Sequence, residues 1–280
     1  MRGRWEVEGE QVAMSPELRT TVADVVRSAQ LWQIWTRLGV QDVRLKFRRS
    51  VLGPGWVFAN LAVLVVSIGF IYANLLGQDP REFIPYLTIG LIAWTYLTSS
   101  IVDGGNAFLN SEGYIKQISL PIYVYIFRFF VSINLTAFIS LGAFVVVALV
   151  YGVPIGPGTL MVVPGLVMVM TASLLLITIF AHLNARFRDV AQMAAVGMQV
   201  LFYVTPVIFP AELLNRRRDL SFVVELNPLY HLLEVVRRPL VAGVAADWHS
   251  YAATGITLAV LLLVASGVIA HFQRRIVFAL

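Results

Sequence analysis

Long uncharged apolar runs separated by short polar stretches make up most of the chain. A helix needs about 20 apolar residues, rising about 1.5 Å each, to cross about 30 Å of hydrocarbon. Six stretches approach that requirement: Val57 to Leu76, Phe83 to Val102, Ile122 to Tyr151, Leu160 to Leu183, Ala191 to Ile208 and Tyr251 to Ala270. Five hold no Asp, Glu, Lys or Arg. The third carries Arg128, about 9 Å from its start, where the side chain can reach an interface. Two readings stay open for Arg128, a positioning anchor and a functional intramembrane charge. The pattern predicts an all-α polytopic membrane protein with six transmembrane helices.

Residues 1–30 read as a polar tail with a modest helical piece around Val22, Val25 and Val26. The remainder, 31–280, reads as one membrane domain. From Leu31 to Arg49, Leu31, Ile34, Trp35, Leu38 and Leu45 recur at helical spacing, while Arg37, Gln41, Arg44 and Arg48 fall on another face. This predicts an amphipathic interfacial helix over 31–49, its Trp and Leu side at the acyl boundary and its Arg side among headgroups. Either it is parked on the surface or it handles a lipid-linked substrate. Gly53, Pro54 and Gly55 then turn the chain into the first span.

The loop 103–121 is long enough for a short helix, with Asn110 or Ser111 as cap, Glu112 in the first turn and Pro121 as limit. Asn184 to Asp189 allows only a turn. Between Thr205 and Ser250, Pro206, Pro210, Pro228 and Pro239 divide short apolar pieces. Asn227 followed by Pro228 is a helix start, so short helices are expected to dip in from outside or lie on the surface. Non-helical backbone at that depth requires cover by protein or a water-filled cavity.

Composition agrees with the pattern. Of 280 residues 58% are hydrophobic and 13% charged, against about 25% charged in a soluble domain, and too little polar sequence remains for a second soluble domain. Zero cysteines exclude disulfides and thiolate chemistry. The net charge of +5 comes from 19 Arg and 2 Lys against 16 acids, a balance suited to phosphate or anionic lipid. No signal peptide is expected, because the first 30 residues are polar. An even number of spans puts both termini in the cytoplasm, with Arg44, Lys46, Arg48, Arg49, Lys116, Arg186, Arg188, Arg274 and Arg275 on the inner side. Arg216, Arg217, Arg218, Arg237 and Arg238 dissent by falling outside.

No nucleotide-binding loop G-x-x-x-x-G-K-[ST], G-x-S-x-G, H-E-x-x-H or dinucleotide fingerprint is present, so no catalytic residue and no resident cofactor is assigned. His182, His231, His249 and His271 are scattered, and no metal site is expected. No nucleic-acid partner is expected either. Aromatic pairs at Phe70 and Tyr72, Trp94 and Tyr96, and Phe202 and Tyr203 lie in three different spans. They suit either stacking on sugar faces or interface belts and helix packing.

Three local strings follow one another in order. They are Arg48-Arg49-Ser50-Val51-Leu52-Gly53-Pro54 with Trp56 after the amphipathic helix, Pro85-Tyr86-Leu87 with Gly90-Leu91-Ile92 and Trp94 in the second span, and Asn227-Pro228-Leu229 in the outer stretch. From Leu31 onward the chain resembles the membrane subunits of polysaccharide ABC exporters, which are type 2 ABC transporter permeases for O-antigen, teichoic acid and related cell-wall glycans.

The resemblance implies a transport subunit, not an enzyme, in the cell inner (cytoplasmic) membrane. It implies a homodimer of this chain with two separate ATP-binding subunits, which carry the ATP and Mg. The loop helix becomes a coupling helix for the ATPase, formed by Asn110, Ser111, Glu112, Gly113, Tyr114, Ile115, Lys116 and Gln117. Arg44, Arg48 and Arg49 become contacts for the pyrophosphate of a lipid-linked glycan substrate. Phe70, Tyr72, Trp94, Tyr96, Phe202 and Tyr203 become candidates for an aromatic channel lining, and the stretch 205–250 a periplasmic re-entrant region with gate helices. A permease for small molecules or lipids has the same architecture. An ATP-independent transporter or membrane enzyme is disfavoured, because mid-membrane ionisable residues and convergent acids are lacking.

Overall fold

The computed structural model describes residues 16–118, 120–211 and 221–272, and the described elements are helical. In chain order they are α1 (Pro16–Gln30), α2 (Trp32–Lys46), α3 (Gly55–Leu76), α4 (Pro80–Gly105), a single 3-10 turn (Leu109–Ser111), α5 (Glu112–Gln117), α6 (Tyr123–Tyr151), a second 3-10 turn (Pro157–Met161), α7 (Val162–Arg186), α8 (Val190–Val204), α9 (Ser221–Glu225), α10 (Pro228–Val241) and α11 (Trp248–Phe272). Five of these, α3, α4, α6, α7 and α11, are long and apolar enough to cross a membrane.

α4 is the centre of the bundle and packs against α3, α6, α7, α8 and α10. Its start follows from local chemistry: Asp79 caps it by accepting the Arg81 N–H at 2.8 Å, with Pro80 in the first turn. Leu87, Ile89 and Leu97 are fully buried. By contrast α3, α8 and α11 leave Val63, Val66, Phe70, Val196, Val200, Ile256 and Leu263 exposed, the apolar surface a bilayer requires.

The ends of the bundle are defined by the loops. Gln78 and Asp79, Gly152 and Val153, and Val241 and Ala242 line one shared cavity, so these three turns lie at one end. α2, α5 and the turn 187–189 lie at the other, which is the basic end. There Phe187 meets Phe272 of α11 with ring centroids 6.5 Å apart, and Asn184 ties three helices together. The buried Asn184 donates to Asn106 Oδ1 at 2.9 Å and accepts the Ala191 N–H at 3.1 Å, which caps the start of α8.

The predicted fifth span, Ala191 to Ile208, is not one long helix. α8 ends at Val204 after 15 residues, about 22 Å of rise. Pro206 is the reason: it disfavours helical backbone at the residue before it, and Thr205 is extended with ψ 137°. The chain then runs as irregular buried backbone through Thr205, Pro206, Val207 and Ile208. Its depth is fixed by Gly90, where a Cβ would come within 2.9 Å of the Val207 carbonyl oxygen. Gly90 lies about 15 Å along α4 from its start at Pro80.

Candidate functional site

The interfacial helix and the loop helix meet at Arg128. α2 packs along the first part of α6, and Gly39 makes the approach possible: a Cβ there would sit 2.7 Å from the Arg128 carbonyl oxygen and from Val131 Cβ. Trp35 stacks obliquely on Phe127 at 5.4 Å and donates its indole N–H to the Ser28 carbonyl at 3.1 Å. The apolar side of α2 is therefore divided. Ile34, Trp35 and Leu38 are half-buried, while Trp32 and Leu45 are exposed. An acyl boundary for the whole Trp and Leu face does not survive this packing.

Across that contact Arg128 donates through Nε and Nη2 to both carboxylate oxygens of Asp42, each at 2.6 Å. Paired forks of this kind fix orientation as well as charge. The guanidinium also lies over the Tyr114 ring of α5, 5.0 Å from its centroid. Arg128 is buried and its Nη1 makes no hydrogen bond. It is thus neither a free headgroup anchor nor a free charge, but the link between α2, α5 and α6.

α5 is a short projecting helix. Ser111 occupies its N-cap position, yet its side chain makes no capping bond, because it is fully buried with its hydroxyl unpartnered. Asn110, Gly113, Tyr114, Lys116 and Gln117 are exposed, and Ile115 packs inward on the core. Glu112 accepts from Lys116 at 2.5 Å one turn along. That hydrogen bond and the ammonium charge hold the Glu112 carboxyl below the usual carboxylate range, with Arg188 adding to the effect.

Arg44, Arg48 and Arg49 are exposed at and beyond the end of α2, with no ion-pair partner among the described residues. Arg49 takes the left-handed backbone, φ 65°, uncommon for a non-glycine residue. The turn is held by the Arg48 N–H on Leu45 O and the Ser50 N–H on Phe47 O.

The six aromatic candidates divide. Phe70 and Tyr203 are exposed, at 73% and 66%, whereas Trp94 and Tyr96 are each 7% exposed. Trp94 packs on half-buried Phe202 at 5.6 Å, Phe202 meets Tyr203 edge-on at 5.6 Å, and Tyr96 donates to Asn134 Oδ1 at 3.0 Å. Tyr72 is half-buried.

A second buried cluster lies away from the basic end. Asn227 caps α10 by accepting from Leu229 and Tyr230 N–H, at 3.0 and 3.3 Å, and its amide donates to Thr205 Oγ1 at 2.9 Å. Arg237, 1% exposed, donates to Glu234 at 3.1 and 2.7 Å and to the Pro206 carbonyl at 2.8 Å. Its guanidinium lies 4.1 Å from the Tyr86 ring centroid, and the Tyr86 hydroxyl donates to the Pro206 and Phe209 carbonyls at 3.2 and 3.1 Å. Arg238 pairs with Asp247 at the surface. Two of the five dissenting arginines are thereby accounted for, and Arg216, Arg217 and Arg218 lie outside the described residues. The pairing of Arg237 with Glu234 is an i, i+3 spacing visible in the sequence, but its contacts with the Tyr86 ring on α4 and the Pro206 carbonyl are not.

A family model described as ABC-2 type transporter matches residues 30–241, well over half of the chain. The chain belongs to the ABC-2 type transporter family. Among its relatives is an O-antigen export system permease protein RfbA of Myxococcus xanthus, 25% identical over 195 residues, 69% of this chain and 74% of that protein. Two proteins of the same name from Klebsiella pneumoniae are 23% identical over 197 residues and 22% over 207, covering 69% and 73% of this chain and 74% and 78% of their own length. The matched region begins at the end of α1 and takes in the Arg128 cluster and the Asn227 and Arg237 cluster. In this ABC-2 type transporter both clusters join a short helix to the membrane bundle, one at each side.

Proposed function

We propose that the chain is the permease subunit of an ATP-driven exporter that carries a polyprenyl-pyrophosphate-linked polysaccharide from the cytoplasmic to the outer side of the inner membrane. The observation that carries this reading is the similarity to three O-antigen export permeases over 69% or more of the chain. The working unit is a homodimer with two separate ATP-binding subunits, which hold ATP and Mg. The basic end is cytoplasmic, and with it α1 and the end of α11.

The geometry supports a division of labour. α5 with its approach, Asn110 to Gln117, docks the ATPase, offering exposed Tyr114, Lys116 and Gln117. Movement of α5 reaches Arg128 through Tyr114, and from there α6 and α2 together. Arg44, Arg48 and Arg49, exposed and unpaired, take the pyrophosphate as hydrogen-bond donors. Phe70 and Tyr203 offer faces to the passing glycan, while Tyr72, Trp94, Tyr96 and Phe202 keep those spans in place. Weak repeated contacts suit a polymer, because one tight site would stall it.

The test is to co-express the permease with the ATP-binding subunit encoded beside it, purify through a tag on the permease and measure ATPase activity with and without lipid-linked glycan. A stable complex stimulated by the glycan supports the reading, and stimulation by small amphiphiles but not by glycan replaces it with a small-molecule exporter. Tyr114→Ala is expected to leave the complex folded and reduce that stimulation.

A further inference from the structure

A polar groove runs between α4 and α6 at membrane depth. On α4, Thr95, Ser99, Asp103 and Asn106 follow at intervals of four, four and three residues, which stacks them on one helix face. On α6, Ser132, Thr136 and Ser140 follow at intervals of four. The two stripes line the same cavity of about 280 Å³, near the lower end of small-molecule sites at about 300 Å³. From Thr95 to Asn106 it extends about 16 Å along α4.

The groove's chemistry is specific. Thr136 and Ser140 donate to backbone carbonyls one turn back, at 2.9 and 3.1 Å, leaving their oxygens as acceptors. The side chains of Thr95, Ser99 and Asp103 make no hydrogen bond among the described residues. Hydrocarbon would leave Thr95, Ser99 and Asp103 unsatisfied, so the groove is built for a polar occupant. Phe129 and Tyr96 line it as well, beside the hydroxyls. Lys46, at the end of α2, stands at its basic-end mouth with Asp103 and Asn110.

Hydroxyls, a carboxylate, the Asn110 amide and aromatic rings together match one ligand class, a sugar with its hydroxyls and its apolar C–H face. We propose that the α4–α6 groove binds a sugar unit of the glycan, entering from the basic end past Lys46. This deepens the exporter reading and rests on it.

The chain has no cysteine, so an introduced thiol is the single one on the permease and is read on the permease band after labelling. Ser99→Cys, in the permease–ATPase complex in lipid nanodiscs, is treated with a charged water-soluble thiol reagent, with Leu64→Cys on the exposed apolar face of α3 as control. Ser99→Cys is expected to react much faster than the control, and about tenfold more slowly once lipid-linked glycan extracted from the source membranes is added. Sugar-free polyprenyl pyrophosphate is expected to give no such protection. Equal protection by the sugar-free lipid makes the groove a phosphate or headgroup site and overturns the proposal. No protection, in a preparation whose ATPase the glycan does stimulate, overturns the groove alone and leaves the exporter reading standing. Neither protection nor stimulation overturns both. The volume-conserving pair Ser99→Ala and Thr136→Val is expected to raise the half-maximal glycan concentration for ATPase stimulation about tenfold. An unchanged value in that folded variant counts against the sugar assignment.

Discussion

Removing the carboxylate of Asp42 tests the link on which the coupling reading depends. Asp42→Asn keeps the shape of the side chain but takes the charge from two bonds of 2.6 Å to Arg128. Arg128 is 8% exposed and already has one Nη without a partner, so little water is available to replace what is lost. Breaking a fully buried pair costs about 3–5 kcal/mol, and hydrogen bonds to charged groups contribute about 1.5–3 kcal/mol. The Asp42 side chain keeps 20% exposure, which places the expected coupling energy in the lower range, about 1.5–3 kcal/mol.

The assay is a double-mutant cycle of Asp42→Asn, Arg128→Gln and both, with unfolding followed in mixed micelles by Trp fluorescence, since Trp35 lies on Phe127 at the same contact. The double variant is expected to lose far less than the sum of the singles. A coupling energy below about 0.5 kcal/mol, the scale of independent sites, would refute the link and return Arg128 to a headgroup anchor.

Three further outcomes follow from the packing. Gly39→Val is expected to lift α2 from α6, because its Cβ would meet backbone at 2.7 Å; overpacking costs about 1–3 kcal/mol, and hydrogen exchange should rise along Trp32–Lys46. Asn227→Ala removes the cap of α10 and the bond to Thr205, and a loss of about 1–2 kcal/mol in thermal unfolding is expected, with Asn227→Asp recovering the cap. Glu112 is held below its ordinary range by Lys116, so its contribution to α5 is present above the unfolded carboxylate pKa and is lost as pH falls through the depressed folded value. Exchange protection of α5 should fall on acidification in the native chain, and Glu112→Gln should be flat over the same range.

Much of the fold was legible because a bilayer leaves few options. Apolar runs such as Tyr123–Tyr151 have no alternative to a helix. Asn227 and Pro228 announced α10 through capping chemistry alone, and the resemblance carried by short strings agrees with the family match. What stayed hidden depends on partners distant in sequence. Arg128 and Asp42 are 86 residues apart, and nothing in their flanks says that one closes on the other. Ser111 looked like a cap, but burial turned its hydroxyl away from that use. Trp94 and Tyr96 are aromatic like Tyr203, and only packing separates rings inside the bundle from a ring on its face.

The half-length of α8 bears on how the chain passes between the two ends of the bundle. α3, α4, α6 and α7 alternate between the two ends, and α8 starts at the basic end, where Asn184 caps it. α11 begins beside the outer turn at Ala242 and finishes against Phe187, so it also runs toward the basic end. Between α8 and α11 the chain must therefore gain the outer end once more. α8 covers the inner part of that passage and hands over at Thr205, level with Gly90. α10 starts beside Thr205, through Asn227, keeps contact with the same stretch through Arg237 on the Pro206 carbonyl, and ends at the turn at Ala242. Irregular backbone at such a depth is tolerated only when its polar groups are satisfied by protein. Arg237 and Tyr86 do this for the Pro206 carbonyl, and Tyr86 does it for Phe209. Five helices are long and apolar enough to cross a membrane, and the shorter apolar helix α8 is followed by irregular backbone held by a buried arginine. Replacing Arg237 should therefore disturb the irregular backbone at 205–209 while leaving α5 and the Arg128 link in place.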